Sequence, residues 1–465
     1  MLPLLPIFPL AQVISVPSPT SSEISIAGQE VVVQPQEVRA LPGQLDKVPV
    51  FNSNSPEVVQ TDGILLSTFP PGGKTVPGAH LNMPLSGRFD VFAHHIARTS
   101  KPGDLRPLYL GVLVYNPGIR PLRVEVLQAV SYVTNPDAPF VELPAYADNS
   151  SGTVYAGPGS RLMTDVLRGV NHSDFPSEIV IPPKQSKMLF NLPVTIGNCR
   201  STLMRLRTDE RVYMASLAMR APVNRTTKGN LANSSAYRAP KLEEWQKLLN
   251  TSNLASPRDR PPTPIHESNP DMIYGRVAGV AQGSQWRTRV ADSPNGEELT
   301  IPQRGKAFSY ALSTVNVYTL GTGQVQSAPM LARYPDTAYR AHGNYGVFYS
   351  LTLPLSNKTR EAQTVAVKIQ TPLRQQERIN GLRFLEPPDR SVYFRGTVQI
   401  SYKDDKGVLQ TRYVHLVQRR GQQGKPLVTL KMPPGDRRLV KVDFLYPPDS
   451  VPPQVLTVRT LEKSP

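Results

Sequence analysis

The residues best suited to chemistry lie between Arg333 and Asn344, just before a strand-like run that ends at Leu355. Tyrosine rings alternate here with arginine, histidine and amide groups. Aromatic faces stack on the C–H faces of sugars while planar polar groups bond hydroxyls, so this composition is typical of a sugar-binding surface. We predict a ligand-binding site from this segment and residues 274–286, and its candidate residues are Tyr274, Trp286, Arg333, Tyr334, Asp336, Tyr339, Arg340, His342 and Asn344.

The same segment also has a structural interpretation. Asp336 follows Pro335 and precedes Thr337, which suits an Asx-type turn. Buried Arg–Asp and Tyr–backbone hydrogen bonds would then hold the segment as an ordered loop in front of a strand. The sequence leaves both interpretations open.

No catalytic motif is recognisable. The GPGSR run at residues 157–161 lacks the Gly-x-Ser-x-Gly elbow of a serine hydrolase, and we predict a loop there. The GTGQVQS run at residues 321–327 lacks the third glycine of a dinucleotide-binding loop. The acid pair of a glycosidase meets only in the fold, and Asp336 and Glu267 are the candidates for one. We predict a non-enzymatic protein without a cofactor.

Metal ligands are scarce. His94 and His95 are adjacent on a predicted strand, so their side chains point to opposite faces and do not chelate as a unit. The single cysteine, Cys199, permits neither an intrachain disulfide nor a thiolate zinc site. Asp404 and Asp405 lie at a predicted turn without the EF-hand pattern. We expect no metal site.

Composition points to a basic β protein. Among 465 residues there are 48 prolines, about twice the typical share. Hydrophobic residues make up 39% of the chain, which is enough for packed cores. The formal charge of +16 favours a polyanionic partner. Because the basic residues are spread along the whole chain, we expect an anionic glycan or envelope component and not a nucleic acid.

The N-terminus resembles a secretory signal. Residues 2–10 are apolar and a small-residue region begins at Ala11, so the pattern predicts an exported protein, periplasmic or extracellular. Two features depart from a usual signal, because no basic residue precedes Arg39 and prolines interrupt the apolar run. No other stretch approaches the length of a membrane-spanning helix.

Strand and turn signals dominate the rest of the chain. Residues 107–133 read as strand, Asn-Pro-Gly turn and strand in a hairpin-like unit, and residues 345–373 and 427–448 repeat this pattern. The helix is predicted at residues 239–250, with Pro240 in its first turn. We predict an all-β chain of two immunoglobulin-like β-sandwich lobes related by a weak pseudo-repeat, with one short connecting helix and a Pro-rich linker. The alternative is one large sandwich. The predicted parts are a signal-like lead-in at 1–45, lobes at 46–238 and 271–465, and the connector at 239–270.

Five segments carry a resemblance to a known family. They are residues 274–286 (YGRVAGVAQGSQW), 321–347, 393–402 (YFRGTVQISY), 419–428 (RRGQQGKPLV) and 446–458 (YPPDSVPPQVLTV). The chain is similar over roughly residues 40–460 to a cyanobacterial family of exported proteins of unknown function. The resemblance implies a periplasmic or extracellular location and assigns no catalytic residue or ligand.

These observations predict an exported, non-enzymatic envelope or extracellular protein that binds or organises an anionic surface component such as polysaccharide. A glycan-active enzyme with a carboxylate pair is one alternative. A protein-binding scaffold of the envelope, working through exposed strand edges, is the other. The oligomeric state is left open.

Overall fold

The computed structural model describes residues 28–224, 237–267, 272–377 and 380–462. The predicted signal falls largely on residues 1–27, outside this description. Strands account for 45% of the structure and helices for 6%, arranged in several sheets. The prediction of a mostly β chain is therefore confirmed.

Most of the secondary-structure elements are strands, and few helices lie between them. The strands of the first half are β1 (Glu30–Gln34), β2 (Glu37–Arg39), β3 (Pro49–Ser53), β4 (Val58–Val59), β5 (Gly63–Ser67), β6 (Leu85–Ala97), β7 (Leu108–Tyr115), β8 (Leu122–Val133), β9 (Tyr146–Asp148), β10 (Glu178–Ile181), β11 (Ser186–Val194) and β12 (Cys199–Arg220). The strands of the second half are β13 (Ala278–Gln282), β14 (Gln285–Arg289), β15 (Leu299–Thr300), β16 (Ala307–Leu312), β17 (Ala328–Arg333), β18 (Arg340–Ala341), β19 (Phe348–Ser356), β20 (Gln363–Gln370), β21 (Leu382–Glu386), β22 (Val392–Lys403), β23 (Leu409–Arg419), β24 (Val428–Met432), β25 (Arg437–Leu445) and β26 (Gln454–Thr460). The helices are α1 (Pro158–Leu167) and α2 (Leu242–Thr251), and a short 3-10 helix spans Pro77–Ala79.

A 12-stranded sheet system organises the first half. Its main path runs β10-β8-β12-β6-β3-β13-β17-β18, and β7 joins β11 to the far end of β12. The long strand β12 pairs with β6 and β8 in its first part and with β5 and β7 in its second. One strand thus runs from one layer into the other. Buried aliphatic and aromatic side chains, Phe51 and Phe89 among them, fill the space between the layers.

Two further sheets enclose the core of the second half. The seven-stranded sheet follows β14-β19-β25-β22-β23-β9, and the five-stranded sheet follows β2-β16-β26-β20-β24. Their buried faces meet in a separate cluster that includes Trp286, Tyr349 and Phe444. Apolar residues alternate along these strands because one face of each sheet is buried.

The strand–turn–strand units at residues 107–133 and 345–373 are not hairpins, which corrects that part of the prediction. β7 pairs with β11 while β8 pairs with β10, so the Asn-Pro-Gly turn carries the chain from one sheet to the other. β19 and β20 are separated in the same way, since they pair with β25 and β24. A turn between two half-buried strands has the same sequence signature in both arrangements. The turn predicted at Asp404 and Asp405 does join a hairpin, because β22 pairs with β23.

We call a turn that carries the chain from one sheet to the other a crossing. In each half, one asparagine holds such a crossing in place. Asn116 donates through Nδ2 to the carbonyls of Arg120 (2.7 Å) and Ile181 (2.9 Å) and accepts from the Gly118 amide (2.8 Å). Asn357 bonds equivalent positions, because it donates to the carbonyls of Glu361 (2.9 Å) and Met432 (2.8 Å) and accepts from the amide two residues ahead (3.0 Å). Pro-Pro follows both Ile181 and Met432. In both halves, therefore, the asparagine of one crossing bonds the strand end that leads into a second, Pro-Pro crossing. We call each such pair stacked crossings.

The helices differ from the prediction. Lys241 is the N-cap of α2, so Pro240 precedes the helix and does not occupy its first turn. Its buried face is formed by Trp245, Leu248 and Leu249. The predicted loop at residues 157–161 begins α1 instead: Gly157 is its N-cap with φ at 83°, and Pro158 takes the first helical position. A glycine suits this φ, and Pro is favoured at the helix start, so the Gly-Pro-Gly run initiates a helix.

Sheet pairing crosses the predicted lobe limits. β13 pairs with β3, although they lie on either side of the predicted connector. β1 and β2 fall in the predicted lead-in, yet they pair with β21 and β16 of the second half. The predicted domain limits stay a prediction, and the junction between the halves is built by strands from both.

Candidate functional site

Hydrogen bonds and ring contacts, both within the segment and to other parts of the fold, hold the predicted segment 333–344 in place. Tyr334 is 1% exposed, and its hydroxyl accepts from the Ser67 amide and donates to the Ala79 carbonyl. Arg333 donates to the carbonyls of Tyr334 and Thr337 and lies 3.8 Å from the Tyr339 ring centroid. These contacts are the ones that the structural interpretation of this loop expects.

Asp336 is engaged by another charged residue. Arg258 binds its carboxylate through two bonds of 2.7 and 3.1 Å, and this pairing holds the pKa of Asp336 below its usual value against the opposing effect of burial. Glu267, the other candidate acid, is exposed on a turn. Neither carboxyl group lines the junction pocket described below.

Trp286 lies in the core of the second half. Its side chain is 3% exposed, its ring stacks near Tyr349, and its Nε1 donates to the Pro42 carbonyl at 2.9 Å. The ring therefore has no free face or polar atom for a ligand. The sequence around a tryptophan can look the same in a core strand and in a sugar-binding site, so it did not distinguish the two.

The structure gathers three predicted residues around one pocket. Tyr274, His342 and Asn344 line it together with residues of the first half, and we call it the junction pocket. Its volume is about 60 Å³, room for roughly four water-sized groups. β3 supplies Asn52, the chain just beyond β3 supplies Asn54, and residues 450–452 close the opposite side.

Four buried polar atoms around this pocket have no hydrogen-bond partner among the described residues. They are Asn52 Oδ1, Asn54 Oδ1, His342 Nδ1 and Ser450 Oγ. The four side chains belong to residues that are at most 9% exposed. Each such atom costs about 1–3 kcal/mol relative to a bonded one. Four such atoms on residues that line one pocket mark a place where ordered water or another polar group completes the bonding.

Aromatic rings form part of the wall. The His342 ring lies 4.3 Å from the Tyr274 ring, and burial lowers the pKa of His342 to about 3 with help from the Arg340 charge. The imidazole is therefore neutral at pH 7, with one donor and one acceptor. Burial raises the pKa of Tyr274 to about 12, so its hydroxyl stays protonated.

Asn344 has a structural part in the same pocket. Its Nδ2 donates to the Gln326 carbonyl (3.0 Å) and the Tyr349 hydroxyl (3.1 Å), and its Oδ1 accepts from the Ala328 amide (3.1 Å). Its φ of 48° lies in the left-handed region that asparagine tolerates. The fully bonded side chain fixes the turn that carries His342.

Charged groups lie beside the pocket. Arg374 lines it and bonds only the Pro452 carbonyl, and no ion pair joins it to a carboxylate within the described ranges. Arg276 also lines it and forms an ion pair with Glu57. Burial raises the pKa of Glu57 to about 7, opposed by Arg276 and reinforced by Asp259 and Asp449.

Sequence reasoning missed the residues contributed by the first half. Asn52 and Asn54 lie more than 200 residues from Tyr274, and only the fold brings them together. One signal was present, since two asparagines two positions apart end an otherwise apolar strand that contains Phe51. Polar residues at buried strand positions are unusual enough to mark a site.

The described residues show neither a metal-binding cluster nor a helix suited to crossing a membrane. In residues 28–224, 237–267, 272–377 and 380–462, no group of three or more His, Cys, Asp or Glu is arranged to hold a metal ion. Neither helix in these ranges reaches the length and hydrophobicity that a helical membrane crossing needs. Cys199 is buried with its Sγ 3.5 Å from His94 Nε2, and burial raises the pKa of its thiol.

Fold and pocket together define a mostly β protein with several sheets and a polar pocket where its two halves meet. The chain belongs to the family described as "Protein of unknown function (DUF3370)", whose model matches residues 36–460. The resemblance to a family of unknown function is thereby confirmed. Its exported and cyanobacterial character stays a prediction.

Other known proteins add little. No curated protein matches the sequence. Among solved structures, the chain is similar to the coconut allergen cocosin, with 10% identity over 81% of this chain and 78% of that one, and a TM-score of 0.10. Procruciferin, an 11S globulin from Brassica napus, shows 11% identity over 90% of this chain and 86% of that one, also with a TM-score of 0.10. Scores this low support no argument about fold or function.

Proposed function

We propose that this protein is an exported, non-enzymatic envelope or extracellular protein that binds an anionic polysaccharide, with a sugar edge held in the junction pocket. The observation that carries the proposal is the set of four unpartnered polar atoms around that pocket. Two amide oxygens accept hydrogen bonds, while the imidazole and the hydroxyl donate or accept them.

A hydroxylated ligand fits this set best. Adjacent sugar hydroxyls both donate and accept, so they bond Asn52 and Asn54 on one side and Ser450 on the other. The rings of Tyr274 and Tyr345 offer apolar faces to the C–H groups of a sugar. With a volume of about 60 Å³, the pocket holds one edge of the sugar and leaves the remainder of the chain outside.

The charge of the protein favours an anionic polymer. The net charge is +16, and the guanidinium of Arg374 lies at the pocket without a carboxylate partner in the described part of the chain. Arginine in this state is suited to a carboxylate or sulfate substituent near the bound sugar. Affinity gained this way falls as salt screens the charges.

A binding screen tests the proposal. The full chain is titrated with acidic and neutral polysaccharide fragments at low and high salt. We expect binding that weakens with salt and is lost in Asn52→Leu, while Asn316→Leu, also with an unpartnered buried oxygen but outside the pocket lining, leaves it unchanged. Equal affinities for wild type and Asn52→Leu would contradict the proposal.

One observation favours a glycan-active enzyme as second candidate. The charge of Asp449 helps to raise the pKa of the Glu57 carboxyl, burial raises the pKa of Asp449 itself, and Arg276 pairs with Glu57 and lines the pocket. An acid with a pKa near 7 is suited to general acid catalysis. Release of reducing ends that is abolished in Glu57→Gln supports this candidate, and absence of turnover on every bound fragment refutes it.

The finer description of fold and location belongs to the same proposal. We propose two immunoglobulin-like sandwich lobes, supported by the stacked crossings that Asn116 and Asn357 hold in the two halves. We also propose a periplasmic or extracellular location in a cyanobacterium, supported by the apolar N-terminal segment. Fractionation of cells that express the full chain tests the location.

A further inference from the structure

A larger cavity lies on the first half of the chain, away from the residues of the junction pocket. We call it the arginine groove. It is lined by Tyr132, Arg161, His172, Phe175, Asn191 and Arg200, and the carboxyl groups of Asp137 and Asp174 belong to residues of the same lining. Its volume is about 520 Å³, within the range of roughly 300–1,000 Å³ typical of small-molecule sites.

Arg200 is a buried cation, and among the described residues its hydrogen bonds go to neutral groups. It is 8% exposed, and it donates to the Pro193 carbonyl (3.1 and 2.9 Å) and to the Ser131 hydroxyl (3.1 Å). Asp137 is near enough to favour its charge, but Asp137 Oδ2 accepts from the Val133 amide at 2.9 Å. No ion pair joins Arg200 to a carboxylate in the described part of the chain. An anion entering the groove would recover part of the cost of burying this charge.

Arg161 brings a second guanidinium to the same groove. It lies 4.1 Å from the Tyr132 ring centroid and 4.8 Å from that of Tyr155, and it donates to the Asp137 carbonyl at 2.5 Å. This cation too makes no ion pair within the described residues. Stacking on two rings holds the planar guanidinium in a fixed orientation, which is the condition for two-point binding of a carboxylate or sulfate.

The remaining wall has the character of a sugar site. The Tyr132 ring meets the edge of His172 at 4.7 Å, and Phe175 lies next to His172 at 6.4 Å. Asn191 donates to the Pro240 carbonyl at 2.7 Å, while its buried Oδ1 has no partner among the described residues. A ligand hydroxyl would satisfy this acceptor, and the rings would meet the C–H groups beside it.

We infer that the arginine groove binds an acidic sugar residue of a polysaccharide, with its carboxylate or sulfate facing Arg161 and Arg200 and its hydroxyls facing Asn191. The inference rests on the proposed glycan binding and names the chemical class of the glycan. It does not depend on the junction pocket, because the two sites share no lining residue.

The test measures the affinity of the full chain for three probes by calorimetric titration. The probes are a galacturonate tetramer, a sulfated galactose tetramer and a neutral galactose tetramer. Arg161→Gln is compared with Arg123→Gln, which removes the same charge from an exposed residue paired with Glu178 at 3.1 Å. We expect Arg161→Gln to weaken at least one acidic probe about tenfold or more, and Arg123→Gln to change it less than about twofold. The probe that responds identifies the anionic group as carboxylate or sulfate.

Equal losses in the two variants would overturn the inference, because they would indicate non-specific attraction by net charge. Absence of acidic-probe binding would overturn it as well. Acidic-probe binding that is lost in Asn52→Leu but unchanged in Arg161→Gln would overturn the inference and leave the proposed function standing. If Arg161→Gln does not fold by circular dichroism, Arg161→Lys carries the same comparison, since lysine keeps the charge and loses the planar fork.

Discussion

Replacing Asn52 by leucine should stabilise the protein while it abolishes glycan binding. Asn52 is 5% exposed, and its Oδ1 is one of the unpartnered atoms of the junction pocket. A buried polar atom without a partner costs about 1–3 kcal/mol. Leucine keeps the branched outline of asparagine but is larger, and the adjacent pocket has room for the added volume, so removing this cost outweighs the change in shape.

We therefore expect Asn52→Leu to raise the free energy of unfolding by about 1 kcal/mol, at the lower end of that range because the pocket is partly open. For a domain of 150–250 residues this raises Tm by about 2–4 °C. Urea and thermal unfolding measure the stability, and calorimetric titration of the same samples measures binding. Sites that trade stability for function are expected to behave in this way.

Asn116→Leu is the matched control. Asn116 has the same side chain, but all of its polar atoms are bonded, through two donated and one accepted hydrogen bond. At about 1 kcal/mol for each bond, its loss should cost about 3 kcal/mol. A destabilised Asn52→Leu would refute the reasoning, because Asn52 would then be a structural residue like Asn116.

Three further predictions follow from the contacts. Asn357→Leu should cost at least as much stability as Asn116→Leu in urea unfolding, since the two asparagines hold equivalent crossings and Asn357 also bonds the Pro433 carbonyl and the Thr359 hydroxyl, and a much smaller loss would contradict that equivalence. Arg374→Gln should weaken binding of acidic fragments and reduce its salt dependence in titrations at two ionic strengths, and an unchanged salt dependence would place the anion elsewhere. Urea unfolding at pH 7 and pH 5.5 should show a loss of several kcal/mol at the lower pH, because burial lowers the pKa of five histidines from 6.5 to about 3 or 4, namely His80, His94, His95, His342 and His415.

The sign of this pH dependence follows from the proton counts. Between pH 6.5 and about 4 the unfolded chain binds protons that the folded histidines do not, so stability is lost as the pH falls, at about 1.4 kcal/mol per pH unit for each histidine. Glu57 opposes this with one proton, because its folded pKa is raised to about 7 and its contribution is lost as the pH rises. Burial also raises the pKa of Asp90 and Asp449, so these two acids act in the same direction as Glu57, but the five histidines keep the loss at low pH dominant. Stability independent of pH across this window would contradict the burial of these imidazoles.

Local pattern predicted strands better than it predicted their partners. The strand, turn and strand predicted within residues 107–133 are present as β7, the turn at Asn116 and β8. The partners of β7 are β11 and β12 and not β8, because the turn at Asn116 leads to the other sheet. Nothing in the sequences of β7 and β8 distinguishes this arrangement from a hairpin. Register and layer are properties of the assembled core.

The candidate site was predicted in part for a similar reason. Tyr274 and His342 line the junction pocket, as their residue types suggested, while Tyr334 and Trp286 are bonded core residues. The wall of a binding site and a loop fixed by hydrogen bonds can contain the same aromatic and polar residue types. What separates them is an unpartnered polar atom such as Asn52 Oδ1, and this is visible only in three dimensions.

The most direct test of the central claim is a crystal structure of the full chain soaked with the acidic oligosaccharide that binds most tightly in the screen. The account predicts sugar hydroxyls within hydrogen-bonding distance of Asn52 Oδ1, Asn54 Oδ1, His342 Nδ1 and Ser450 Oγ. A junction pocket that holds only ordered water at saturating ligand, with those four atoms bonded to it, would contradict the account.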